Sequence, residues 1–171
     1  MNNKKYTNGF TIIEMVIYMG LLSILIALMS QLFIATLGVK VESEANTSVQ
    51  QDGNYIISRI TYDIHRASRI ITPALGQTGS TLSLGIIESG VEQIYTYLLA
   101  NTTLTLSDGS TTDSIHSATT HISTFTVTRV GNSATRANAK DTIQFHVTLS
   151  GVYSLPSGVQ QMTFQSTAGL R

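Results

Sequence analysis

Gly9-Phe-Thr-Ile-Ile-Glu14 opens onto 25 uncharged residues, Met15 to Val39. A lone carboxylate therefore stands at the start of a stretch otherwise suited to lipid. A charge in a bilayer-spanning helix costs roughly 2.5–3.5 kcal/mol on insertion scales, so Glu14 needs a partner. Upstream lies a polar leader, Met1 to Gly9, carrying Lys4 and Lys5. About 20 apolar residues suffice to span a bilayer, and Met15 to Val39 exceeds that length. A removed secretory signal has a shorter apolar core, about 7–15 residues, with an A-x-A-like end. Thr36-Leu37-Gly38 is a poor version of such an end, so the run reads as a retained helix. The leader lysines, against Lys40 as the first basic residue beyond the run, favour an N-terminus inside and a domain outside the cytoplasm.

The order of basic leader, Gly-Phe junction, glutamate four residues on and long apolar run resembles the prepilin-type cleavage and methylation signal of type IV pilins and type II secretion pseudopilins. The resemblance implies cleavage between Gly9 and Phe10 by a prepilin peptidase and N-methylation of Phe10 by the same enzyme. It also implies that Glu14 serves subunit assembly, meeting the cationic N-terminus of an incoming subunit. Such a pair is strongly directional in a low dielectric. The residues alone leave a plainer alternative open, since the helix dipole favours an anion in the first turn. Gly9 suits a protease because it lets an extended backbone approach closely. Other major or minor pilins or pseudopilins, an inner-membrane assembly platform and membrane lipid follow as expected partners. Many pilins carry a helix-bending proline within the apolar run, and this chain has Ser30-Gln31 instead.

From Phe10 to Ile71 there is no proline. After the apolar run the spacing becomes that of an amphipathic helix: Val49, Ile56, Ile57, Ile60, Ile64, Ala67 and Ile71 recur at three, four and seven. Asn54, Ser58, Tyr62, His65 and Arg69 take the other face. Arg59 with Asp63, and Asp63 with Arg66, read as surface pairs worth a few tenths of a kcal/mol each. Gly53 reads as a weak point, costing about 1 kcal/mol relative to alanine. About 60 helical residues at ~1.5 Å each predict a rod near 90 Å. The segment Gln51 to Ile71 resembles the helix of PilW-type minor pilins and J-type pseudopilins.

Beyond Pro73 the period changes to two. Leu82, Leu84 and Ile86 alternate with Ser83 and Gly85; Ile94 to Leu99 is rich in strand formers; Leu104 and Leu106 run into a turn at Ser107-Asp-Gly-Ser110. Phe125 and Val127 alternate with threonines, and Ile143, Phe145, Val147 and Leu149 alternate with polar residues. Met162 and Phe164 predict a last short strand. Such alternation fits an antiparallel sheet with one packed face, which the amphipathic helix would cover. Ser107 to Thr120 and Gly131 to Lys140 read as loops.

Ten basic and ten acidic residues give a formal charge of zero, and no Lys/Arg block tracks a nucleic-acid backbone. Arg59, Arg66 and Arg69 read as solvated. Cysteine is absent, which removes disulfides and thiolate metal sites and leaves the C-terminal region to be held by packing. Ser23, Ser30, Gln31 and Thr36 interrupt the apolar run, either joining neighbouring helices or bonding their own backbone. His65, His116, His121 and His146 have no usual metal spacing. Glu88, Glu92, Asp108 and Asp113 do not form a dense calcium loop. No G-x-S-x-G elbow occurs. No enzyme chemistry, metal or cofactor is expected.

The chain thus divides into a leader (1–9), a transmembrane and assembly helix (10–39), its amphipathic second half (40–72) and a β-rich head (73–171): an α+β, pilin-like plan. The resemblance implies a minor pilin or pseudopilin at the tip of, or priming, a type IV pilus or type II secretion filament. It would be a single-pass inner-membrane protein until assembled into a periplasmic or surface filament. The alternative is a signal-anchored extracytoplasmic binding domain outside any filament, which would keep Met1 to Gly9.

Overall fold

A computed structural model describes residues 9–131, 141–152, 158 and 160–171. Most of the leader, with Lys4, Lys5 and Tyr6, and nearly all of the expected Gly131 to Lys140 loop lie outside the described residues. Two compact units divide after Val41. The fold is α+β, a long N-terminal helix followed by antiparallel sheets.

One helix, α1, runs Ile12–Arg66. Thr11 caps it, and no proline interrupts it. Within the first unit its apolar side chains from Ile12 to Val39 are exposed. The helix is long and apolar enough there to cross a membrane. Within the second unit α1 buries one stripe: Ala45, Val49, Gly53, Ile56, Ile60, Asp63 and Ile64. Asn54, Ser58 and Tyr62 face solvent as their spacing requires.

The helix does not continue to residue 72. Ala67–Thr72 is a strand, β1. The expectation of an amphipathic helix over 40–72 therefore overran by six residues. The physical reason lies in Ile70-Ile-Thr72, a β-branched run, and in Pro73, which disfavours helical geometry in the residue before it. Ala67 and Ile70 point into the core, whereas Ile71 is partly exposed. Apolar residues at 67, 70 and 71 satisfy helical spacing, and the strand buries both Ala67 and Ile70 only through register shifts in its pairing with β3, which no period-two pattern reveals.

The remaining strands are β2 (Thr78–Gly79), β3 (Thr81–Glu88), β4 (Val91–Ala100), β5 (Thr103–Ser107), β6 (Thr112–Ser114), β7 (Thr120–Val130), β8 (Thr142–Gly151) and β9 (Gln161–Gly169). They form two sheets rather than one. The first has order β1-β3-β4-β5-β6 and the second β2-β7-β8-β9, every ladder antiparallel. Both are meanders extended at one end by an earlier segment. The start of β7 touches the first sheet through Ile122 N–H to Thr102 O at 2.9 Å. The expected loop from Ser107 to Thr120 contains β6, and the last strand is nine residues long.

One core joins the helix stripe to both sheets. Ile56, Ile60 and Ile64 meet Leu82, Leu84, Ile86, Tyr97 and Leu104 from the first sheet and Ile122, Ile143, Phe145, Val147 and Leu149 from the second. Each large aliphatic side chain so buried contributes about 1.5–3 kcal/mol. Gly53 is a seat rather than a weak point: it is buried, and a Cβ there would run into the Phe164 ring of β9. The C-terminal region is held further by Leu170 N–H to Asp141 O at 3.0 Å and by His65 Nδ1 to Gly169 O at 2.9 Å. A carbonyl only accepts, so His65 Nδ1 carries the proton. Arg129 binds Asp141 and donates to the carbonyls of Ile70 (3.0 Å) and Pro73 (3.3 Å), tying the end of β1 to β7.

Candidate functional site

The start of α1 gathers the residues singled out by the sequence. Gly9 and Phe10 are exposed ahead of the helix, and Glu14 sits in its first turn, partly buried. Glu14 N–H donates to Thr11 Oγ1 at 3.4 Å, the helix-starting bond expected of a threonine cap. The Glu14 carboxyl lies toward the following turn, where the Tyr18 hydroxyl donates to Oε1 at 2.9 Å. The Tyr18 ring meets the Phe10 ring edge to face, with centroids 6.0 Å apart and planes at 76°. Sequence reasoning missed Tyr18. Its spacing of four from Glu14 is the signal that would have found it.

The polar residues of the apolar run serve their own backbone. Ser23 donates to Met19 O (2.8 Å), Ser30 to Ile26 O (2.9 Å) and Thr36 to Leu32 O (2.8 Å). This back-bonding satisfies hydroxyls without a neighbouring helix.

The charged residues of the second unit are structural ties. Asp63 is fully buried and accepts from Arg59 Nε (3.1 Å), Arg66 Nε (2.9 Å) and the fully buried Tyr97 hydroxyl. Burial, then the Asp63 charge, pushes the Tyr97 phenol far above its ordinary range and keeps it a donor. Arg66 also reaches Glu88 at 2.8 Å and lies over the Tyr62 and Tyr95 rings. Arg69, on β1, forms a two-bond pair with Glu92. Reading Arg59 and Arg66 as solvated and the Asp63 pairs as surface contacts is thus corrected, because the second face of Asp63 is covered by β4, whereas Arg69 is exposed as expected.

The remaining candidates are dispersed. Asp108 accepts from the N–H groups of Ser110 (2.8 Å) and Thr111 (2.7 Å) in a turn, and those bonds hold its carboxyl below the usual range. His116 and His121 line one open pocket of about 410 Å³ with Thr103, Ser114, Ser117 and Thr120. His146 lies on β8 between Thr126 and Gln165. Among the described residues no three His, Asp or Glu side chains cluster as metal ligands. Asp52, unremarked in the sequence, ties α1 to the loop before β7 through Ser117 N–H (2.9 Å), Ser117 Oγ (2.7 Å) and Thr120 Oγ1.

The helix start and the α+β head fit a structural subunit carried on a membrane anchor. Residues 4–30 match the family model for the prokaryotic N-terminal methylation motif. The matched span holds Lys4, Lys5, Gly9, Phe10, Glu14 and Tyr18, and it supports a type IV pilin-like protein that is processed by a prepilin peptidase and assembles with other pilins. No curated protein and no solved structure matches the chain.

Proposed function

We propose that the chain is a minor pilin or pseudopilin. A prepilin peptidase cuts between Gly9 and Phe10 and methylates the new N-terminus, and Glu14 then receives the α-amino group of a neighbouring subunit in the filament. The observation that carries this reading is the methylation motif at residues 4–30 placed on the exposed start of a long apolar helix. The orientation, with the head outside the cytoplasm, rests on Lys4 and Lys5 ahead of the run. A place at the tip of, or in priming, a pilus or secretion filament rests on the resemblance of Gln51 to Ile71 to minor-pilin and J-type pseudopilin helices.

Intact mass and N-terminal sequencing of protein from cells with an active prepilin peptidase test the proposal. The expected product starts at Phe10 and carries one added methyl group. A chain that keeps Met1 to Gly9 would instead be a signal-anchored domain outside any filament.

A further inference from the structure

Thr11-Ile-Ile-Glu14 has the spacing of a capping box, in which the glutamate side chain ordinarily turns back to the N–H of the cap residue. Only the forward half forms here, Glu14 N–H to Thr11 Oγ1. The carboxyl turns one helical turn onward to the Tyr18 hydroxyl at 2.9 Å. A phenol facing a carboxylate is the donor. The tyrosine is itself braced by the Phe10 ring. Phe10, Glu14 and Tyr18 succeed one another at intervals of four along one face of the helix start.

We propose that Tyr18 is a positioning residue for Glu14. The proposal rests on the reading above, in which Glu14 receives the α-amino group of a neighbouring subunit. The hydroxyl occupies Oε1, fixes the rotamer of the carboxyl and leaves Oε2 directed to the incoming ammonium. Before a neighbour arrives, the same bond satisfies a group that lipid cannot. Phe10 gains a second duty: its ring holds the tyrosine whose hydroxyl orients the acceptor.

The test is a double-mutant cycle on the full chain in cells that hold its pilin-like neighbours. Tagged parent, Tyr18→Phe, Glu14→Ala and the double variant are purified, and the co-purified subunits are quantified. Tyr18→Phe keeps the ring against Phe10 and removes only the hydroxyl. It is expected to lower recovery about three- to tenfold. Glu14→Ala is expected to lower it more, and the double variant no further than Glu14→Ala. In the same full-length protein in micelles, the Tyr18 ring Cζ resonance, assigned by its loss in Tyr18→Phe, is expected to shift in Glu14→Ala. Unchanged recovery for Tyr18→Phe beside a loss for Glu14→Ala overturns the role of Tyr18 and leaves that of Glu14 standing. Equal losses from Tyr18→Phe in both backgrounds, or an unmoved Cζ resonance, also overturn it. Undiminished recovery for Glu14→Ala overturns the assembly reading, and the Tyr18 proposal with it.

Discussion

The Tyr97 hydroxyl donates to Asp63 across 34 positions of sequence, and both side chains are fully buried. The bond joins the last turns of α1 to the middle of β4. Removing the phenol leaves a buried carboxylate short of one donor, which costs about 1–3 kcal/mol. Removing the carboxylate leaves the buried Tyr97 hydroxyl unpaired, at a cost of about 1–3 kcal/mol, and also takes a partner from two part-exposed arginines, of which Arg66 keeps Glu88. Urea unfolding of the head, residues 42–171, should therefore rank parent, then Tyr97→Phe, then Asp63→Ala. Equal midpoints for all three would remove the network from the stability of the head.

The same phenol sets an alkaline limit. Its folded pKa is raised, by burial first and by the Asp63 charge second, above the unfolded tyrosine value of about 10. Above that pH the unfolded chain binds fewer protons than the folded one, so stability falls as pH rises. The contribution is whole below pH ~10 and declines above it, toward the folded pKa. Tyr95, also raised by burial first, acts in the same direction. Urea midpoints measured from pH 8 upward should decline less steeply in Tyr97→Phe than in the parent.

Gly53 offers a test in which helix propensity and packing have opposite signs. Alanine is the better helix former by about 1 kcal/mol, yet its methyl would run into the Phe164 ring. Gly53→Ala should lower the melting temperature of the head. Gly53→Ala with Phe164→Leu should melt higher than Gly53→Ala alone, because the smaller side chain vacates the seat. A rise in melting temperature from Gly53→Ala alone would place propensity above packing at this position.

Ile60 and Arg69 separate core from surface. Ile60 is fully buried, and Ile60→Asp puts an unpaired charge among aliphatic side chains at a cost of several kcal/mol. Arg69 pairs with Glu92 at the surface, where solvent and salt screening leave an ion pair little stability to contribute. Circular dichroism of the head should show Ile60→Asp unfolded and Arg69→Asp folded. Two folded variants would contradict the helix stripe.

At the other end of the chain, Glu14→Ala leaves the leader and the Gly9–Phe10 junction intact. Membrane insertion should persist or improve, because a penalty of roughly 2.5–3.5 kcal/mol is removed. Mass spectrometry should still find a product starting at Phe10. Loss of cleavage in this variant would move Glu14 from assembly to recognition by the peptidase.

The sequence disclosed what repeats along the chain and hid what converges from distant parts of it. Val49, Ile56, Ile60 and Ile64 were legible because one face of one helix meets one core. Ile143 to Leu149 were legible for the same reason in a strand. Asp63 was misjudged because its third donor, Tyr97, lies on a strand whose register no local pattern gives. Gly53 was misjudged because its value lies in what Phe164 needs. The division into two sheets was equally hidden, since alternation marks a strand but not its neighbours. At the helix start Gly9, Phe10 and Glu14 stood out because their order is a local signal, whereas Tyr18 merged with the apolar run around it.

The back-bonded hydroxyls of Ser23, Ser30 and Thr36 make most of the apolar helix mute toward its neighbours. Chains lying side by side can slide lengthwise there without breaking a directional bond. Two places along the shaft still carry directional chemistry, the carboxyl of Glu14 and the exposed amide of Gln31. They are about 25 Å apart along the axis. Under the proposed assembly reading they are two notches on an otherwise smooth rule, against which one chain would set its position on the next.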